Sequence, residues 1–125
     1  MADRIDPFEV TRVYTGEDGE THLEKTGVEL EQRGGASALS ELVEATGVIF
    51  RRTPPDLFAD WHPAPRRQYV VTLAGEGEIE VSDGSILPLG PGSVVLVEDV
   101  DGVGHITRGR GTEDRLSLFI PLPEE

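Results

Sequence analysis

The chain has 125 residues, no cysteine, and 24 acidic against 11 basic residues, for a formal net charge of -13. That length is one domain, 1–125. The absence of cysteine excludes disulfides and thiolate metal sites, and the negative charge disfavours nucleic acid and anionic membranes as partners. The opening, MADRIDPF, is charged and has no apolar run, and no window approaches a membrane span, so a cytoplasmic protein is expected.

Taken in chain order, Glu9 to Tyr14 reads as a strand, Gly16 to Glu20 as a turn and Thr21 to Lys25 as a second strand, a hairpin within an N-terminal region 1–30. Gly27 to Leu30 is a further short extended piece. Over Gly34 to Glu44, Leu39, Leu42 and Val43 have helical spacing, which leaves a short helix or a structured loop open. Gly47 to Arg51 reads as a strand ended by Pro54 and Pro55, with a loop through Ala59. Gln68 to Leu73 is β in composition. In Glu76 to Val81 the glutamates fall on one face and Gly77, Ile79 and Val81 on the other, one wet and one buried face. Ser82-Asp83-Gly84 and Gly90-Pro91-Gly92 are tight turns flanking a strand over Ser85 to Leu89, and Ser93 to Val97 is an apolar strand. Asp99 to Gly104 is a loop, His105 to Arg108 and Leu116 to Pro121 are the last strands, and the PLPEE tail is loose. About ten strands with at most one short helix predict an all-β closed or double-sheet architecture.

The stretch from Trp61 to His105 carries the most chemistry, because two of the three histidines sit at its ends. A sheet that rolls up between them brings both into one pocket. His62 is followed by Gln68 and, after six intervening residues, Gly75; further on, Gly102 precedes His105 by three. This pattern resembles the cupins, small jelly-roll barrels, over a motif core of about 61–107. The resemblance implies a cupin-type jelly roll (a double-stranded β-helix barrel) with an N-terminal hairpin, and a small-molecule pocket. In cupins a His-x-His pair, a glutamate and a later histidine hold a divalent metal. Here Ala64 stands at the second histidine position and Gln68 at the glutamate, so the metal set implied is His62, Gln68 and His105, for iron, manganese, nickel or zinc, or for no metal at all.

The candidate catalytic residues are His62 and His105, whose imidazoles can serve as acid or base, and Arg66, which shares parity with Gln68 and suits an acidic ligand. Gln68, Trp61 and His22 are candidate ligand-binding residues, although a lone strand histidine such as His22 is more often structural. Arg51, Arg52, Arg66, Arg67, Arg108 and Arg110 lie within or close to the histidine-bearing segments and offer forked donors to a carboxylate or phosphate, against pairing with the many surface acids. Glu98, Asp99 and Asp101 precede His105, and one of them could orient its ring, although a solvated acidic turn is the safer reading. The function expected is proton-transfer chemistry of isomerase, lyase or cyclase type on a small polar or anionic metabolite. A cupin that binds or senses a metabolite without turnover, and a metal-dependent dioxygenase, are the alternatives. A homodimer is expected from the way single-domain cupins pair.

Overall fold

A computed structural model describes residues 5–33 and 35–124. The first four residues of the N-terminal region, Gly34 and the last residue of the tail lie outside them. The described residues form twelve strands and no helix: β1 (Phe8–Thr15), β2 (Thr21–Val28), β3 (Glu31–Gln32), β4 (Ala38–Leu39), β5 (Ile49–Thr53), β6 (Phe58–His62), β7 (Gln68–Ala74), β8 (Glu76–Glu80), β9 (Ile86–Leu89), β10 (Val94–Val97), β11 (His105–Arg110) and β12 (Arg115–Pro121). Among the described residues there is thus no helix long and apolar enough to cross a membrane.

The predicted hairpin is β1–β2, antiparallel from Phe8↔Val28 to Thr15↔Thr21. It is not an appendage. β1 pairs in parallel with β10 (Thr11↔Val95 to Val13↔Val97), so the hairpin extends the larger sheet. That sheet runs β2-β1-β10-β7-β12-β5, and a second runs β6-β11-β8-β9; β3 and β4 form a separate two-stranded ribbon. Of the closed and double-sheet architectures anticipated from the sequence, the structure has the second: two sheets with free edges, not the closed barrel of one continuous ladder. The region anticipated as a short helix or a structured loop holds the small strand β4 and irregular chain: its apolar residues Leu42 and Val43 are exposed and bury no helical face.

From β5 onward the chain changes sheet at every connection except the β8–β9 hairpin. The two sheets face each other, and their inward side chains make one core. Val13, Val70, Val95 and Val97 come from the larger sheet, Ile79 and Leu89 from the smaller, with Ala64 and Val81 beside them. Crossing over repeatedly needs sharp corners. At the sharpest, Gly75 alone separates β7 from β8; its φ of 75° is open to glycine, and a Cβ there would lie 2.5 Å from the Asp114 carbonyl oxygen.

The strand through Ala59 that the sequence reading took for loop is β6, and it is irregular for a reason. Thr107 pairs with Ala59 and His105 with His62, so two steps on β11 match three on β6. One extra residue is bulged out, and the alternation that marks a strand in sequence is broken there. A second bulge lies on β7, where Leu116 and Ser117 of β12 pair with Ala74 and Thr72.

Candidate functional site

Between the sheets lies a cavity of about 390 Å³ whose lining includes His62, His105, Gln68, Thr107, Arg51 and Arg115, with apolar walls from Val70, Ile79, Leu89, Val97 and Phe119. The β6 bulge is what aims His62 into it. Ala59 and His62 are three apart and both line the cavity, which an unbroken strand would forbid. By the same shift Trp61 turns outward. It is 42% exposed and does not line the cavity.

The two histidines are brought together as register partners, with ring centroids 4.7 Å apart at an interplanar angle of 55°. Their approach depends on Gly104, whose φ is 80° and whose Cβ, were there one, would lie 2.1 Å from the His62 carbonyl oxygen. Only a glycine lets β11 begin this close to the end of β6.

Each ring is held through Nδ1. His62 Nδ1 is 2.6 Å from the Asp60 carbonyl oxygen, which can only accept, so Nδ1 carries the hydrogen. His105 Nδ1 is 2.5 Å from Asp99 Oδ2 and donates to the carboxylate. That leaves Nε2 of both rings as the nitrogen with a lone pair, and neither Nε2 has a protein partner among the described residues.

Asp99 is the carboxylate that orients His105, and it is fully buried. Oδ2 also accepts from Thr21 Oγ1 at 3.0 Å, whereas Oδ1 is buried with no hydrogen-bond partner among the described residues. An orphaned buried acceptor costs about 1–3 kcal/mol, and the fold carries that cost at the residue holding the histidine. The loop is pinned on both sides. Ala64 N donates to the Asp99 carbonyl at 2.8 Å, and Glu98 N to that of Val13 at 2.7 Å. Glu98 binds Arg67 Nε at 2.5 Å and Arg12 Nε at 2.6 Å. Burial alone would raise the Glu98 pKa, but the hydrogen bonds from Arg67 and Arg12 outweigh it and hold the carboxyl below its usual value.

Gln68 lines the cavity and is 3% exposed, and its Oε1 accepts from Arg66 Nη1 at 3.0 Å. Arg66 itself is exposed and stays outside the cavity, because Pro63 and Pro65 keep the chain before β7 irregular and no strand parity points its side chain in. His22 is also elsewhere. It faces Asp18, with Nε2 2.9 Å from Oδ2, and Tyr14, at 5.8 Å between centroids; its hydrogen bond draws the Asp18 pKa down.

The cations that do reach the cavity are Arg51 and Arg115. Arg115 was hidden in the sequence by the strand bound: the last strand was read from Leu116, whereas β12 starts at Arg115, which shares its inward face with Ser117 and Phe119. Arg51 was visible, but only as one of six arginines in or near the histidine segments.

No family model and no curated protein matches the chain. Among solved structures it is similar to a Salmonella typhimurium chain named for ethanolamine utilization, protein Q, with 16% identity, a TM-score of 0.49, and coverage of 96% of this chain and 99% of that one. A likeness of that degree leaves the site to be read from its own geometry.

Proposed function

We propose that the protein binds a small polar or anionic organic molecule between its sheets and moves a proton on it, with His105 Nε2 as the base and His62 Nε2 as its partner. One observation carries the reading: a fully buried carboxylate, Asp99, is bonded to the far nitrogen of a cavity histidine whose ring lies 4.7 Å from that of a second one. A carboxylate in that position fixes the tautomer, turns Nε2 toward the ligand and stabilises the imidazolium formed when Nε2 takes a proton. The imidazolium formed on His105 can return its proton to a neighbouring atom of the ligand, with a second lone-pair nitrogen on the imidazole 4.7 Å away, the proton shuttling that isomerisation, elimination and cyclisation require. The alternation of the chain between two facing sheets supports a jelly-roll arrangement of cupin type.

The donor set does not suit a resident divalent metal. Among the described residues no carboxylate lines the cavity, the oxygen of Gln68 is engaged by a guanidinium, and two further guanidiniums line the same space. Two neutral imidazoles beside two cations make a poor divalent site, so no step is routed through one, and nothing in the geometry favours a dioxygenase.

The test is deuterium exchange at the carbon next to the carbonyl in a panel of small oxo and hydroxy acids, followed by NMR in heavy water. The wild type is expected to accelerate exchange of at least one acid, and His105→Gln and Asp99→Asn to lose at least about a hundredfold of it. Binding without exchange would leave a ligand-binding protein and overturn the catalytic reading.

A further inference from the structure

Among the described residues, Arg115 has no carboxylate within ion-pair distance, although the chain holds 24 acidic residues and Arg12, Arg33, Arg52, Arg67, Arg108 and Arg110, none of which lines the cavity, each have one. Arg115 is also 2% exposed. A buried, uncompensated guanidinium is costly, and a fold retains one where its counter-charge arrives from outside.

Its surroundings are built to hold it. Gly77 of the facing sheet leaves room for it: a Cβ there would lie 3.3 Å from Arg115 Cδ and 2.9 Å from the Arg108 carbonyl oxygen. Arg115 Nε and Nη2 both donate to Thr72 Oγ1, at 3.1 and 3.0 Å. That uses one edge of the guanidinium and leaves the Nη1 side, whose hydrogens form a second fork of the kind that fits a carboxylate. Arg51 is the second cation of the cavity and likewise has no acidic partner among the described residues. It lies over the Phe119 ring at 5.0 Å, and its pKa is lowered by burial. Ser117, two residues after Arg115 on β12, is the register partner of both Arg51 and Thr72 and lies outside the cavity lining. Its Oγ is buried without a hydrogen-bond partner among the described residues. Two unneutralised guanidiniums on adjacent strands, Arg51 on β5 and Arg115 on β12, thus share one wall of the cavity.

We infer that this wall is an oxyanion subsite, and that the molecule bound in the cavity is a small carboxylate with an apolar body, its carboxylate on Arg115 and Arg51 and its body along Ile79, Val70, Leu89 and Val97. This deepens the proposed function and rests on the same cavity, but not on its proton chemistry. The apolar walls give the body of the molecule a dry seat, and in such a setting each charge-assisted hydrogen bond counts for more than it does in water.

The test is isothermal titration calorimetry at neutral pH with hexanoate, with hexanamide as its neutral counterpart, and with inorganic phosphate. Hexanoate is expected to bind at least about tenfold tighter than hexanamide, and Arg115→Met and Arg51→Met each to remove at least about tenfold of hexanoate affinity with little effect on hexanamide. Arg51→Met keeps the test sound should Arg115→Met not fold, because Arg51 is only half-buried and its side chain makes no hydrogen bond among the described residues. His22→Ala, remote from the cavity, is the variant expected to leave affinity unchanged. Equal binding of acid and amide, no binding of either, or hexanoate affinity indifferent to both arginine variants would overturn the assignment, as would phosphate binding tighter than hexanoate, which would move the site to phosphate monoesters. Hexanoate bound through the arginines with no proton exchange on any acid leaves this subsite standing and removes only the catalytic reading; exchange lost in Asp99→Asn, with acid and amide bound alike, does the reverse.

Discussion

Asp99 Oδ2 lies 2.5 Å from His105 Nδ1, and the same oxygen accepts from Thr21 Oγ1 at 3.0 Å. Asp99→Asn keeps the volume but replaces an acceptor with a group that also donates. An amide N–H facing Nδ1 moves the ring hydrogen to Nε2, and the nitrogen facing the cavity is then no longer a base. The expected outcome is a loss of about 10²- to 10⁴-fold in proton-transfer rate, with ¹⁵N spectra of His105 showing the hydrogen on Nε2 in the variant and on Nδ1 in the wild type. An unchanged tautomer would show that Asp99 does not set it.

Glu98 makes the position of Asp99 sensitive to acid. Its carboxyl titrates below the ordinary 4.5 in the folded chain, because the hydrogen bonds of Arg67 and Arg12 outweigh the effect of burial. A depressed carboxylate contributes stability that is fully present above its unfolded value and is lost as the pH falls through its folded value. Glu98→Gln is therefore expected to cost about 1–3 kcal/mol at neutral pH, and urea titrations should show the gap between wild type and variant closing below about pH 4. A gap independent of pH would mean that packing, not charge, is lost.

Much of the sheet framework was legible because its strands alternate cleanly and end in glycine turns. Ser82-Asp83-Gly84 joins β8 to β9, with Gly84 at a φ of 89°, and Gly90-Pro91-Gly92 leads into β10. The meeting of His62 and His105 was legible from their place at the two ends of a rolled segment. What stayed hidden lies where local pattern and tertiary structure part company. The β6 bulge cancels alternation, so a strand resembled a loop and Trp61 resembled a ligand platform. Glu78 falls on the face read as wet, yet it is only 9% exposed because Arg108 and Arg110 of β11 cover it. Asp99 and Asp101 are indistinguishable as letters. Asp99 is fully buried while Asp101 is exposed, and only the pairing of the 98–100 turn with Val13 and Ala64 decides which one faces the histidine.

Gly104 is the steric condition for the histidine pair. Gly104→Ala places a methyl group 2.1 Å from the His62 carbonyl oxygen at a backbone φ of 80°. The two effects together should cost at least about 2 kcal/mol, and the strain is relieved most directly by parting β11 from β6. Chemical denaturation should show the loss. The ring-current shifts that each histidine imposes on the other should fall in the variant. Retention of both stability and shifts would show that the strands tolerate a wider separation than the structure implies.

The opposite sign is expected for Arg115. Burial, together with the neighbouring charge of Arg51, pushes its pKa down from the ordinary guanidinium value to about 10. For a cation with a depressed pKa the unfolded chain binds the extra proton between those two values. Stability therefore rises with pH across that window, and the cost of burying the charge is present in full below it. The shift corresponds to about 3 kcal/mol. Met has a similar length and no charge to desolvate, so Arg115→Met, despite giving up two hydrogen bonds to Thr72, is expected to stabilise the free protein by about 1–3 kcal/mol. A residue kept for stability would show the reverse on replacement, whereas one kept for an incoming carboxylate should trade stability for binding. Urea midpoints of wild type and variant, without ligand and then with hexanoate, separate the two cases. The variant should be the more stable without ligand, and hexanoate should raise the midpoint of the wild type alone. A variant less stable than the wild type in the absence of ligand would identify Arg115 as a structural brace between the sheets.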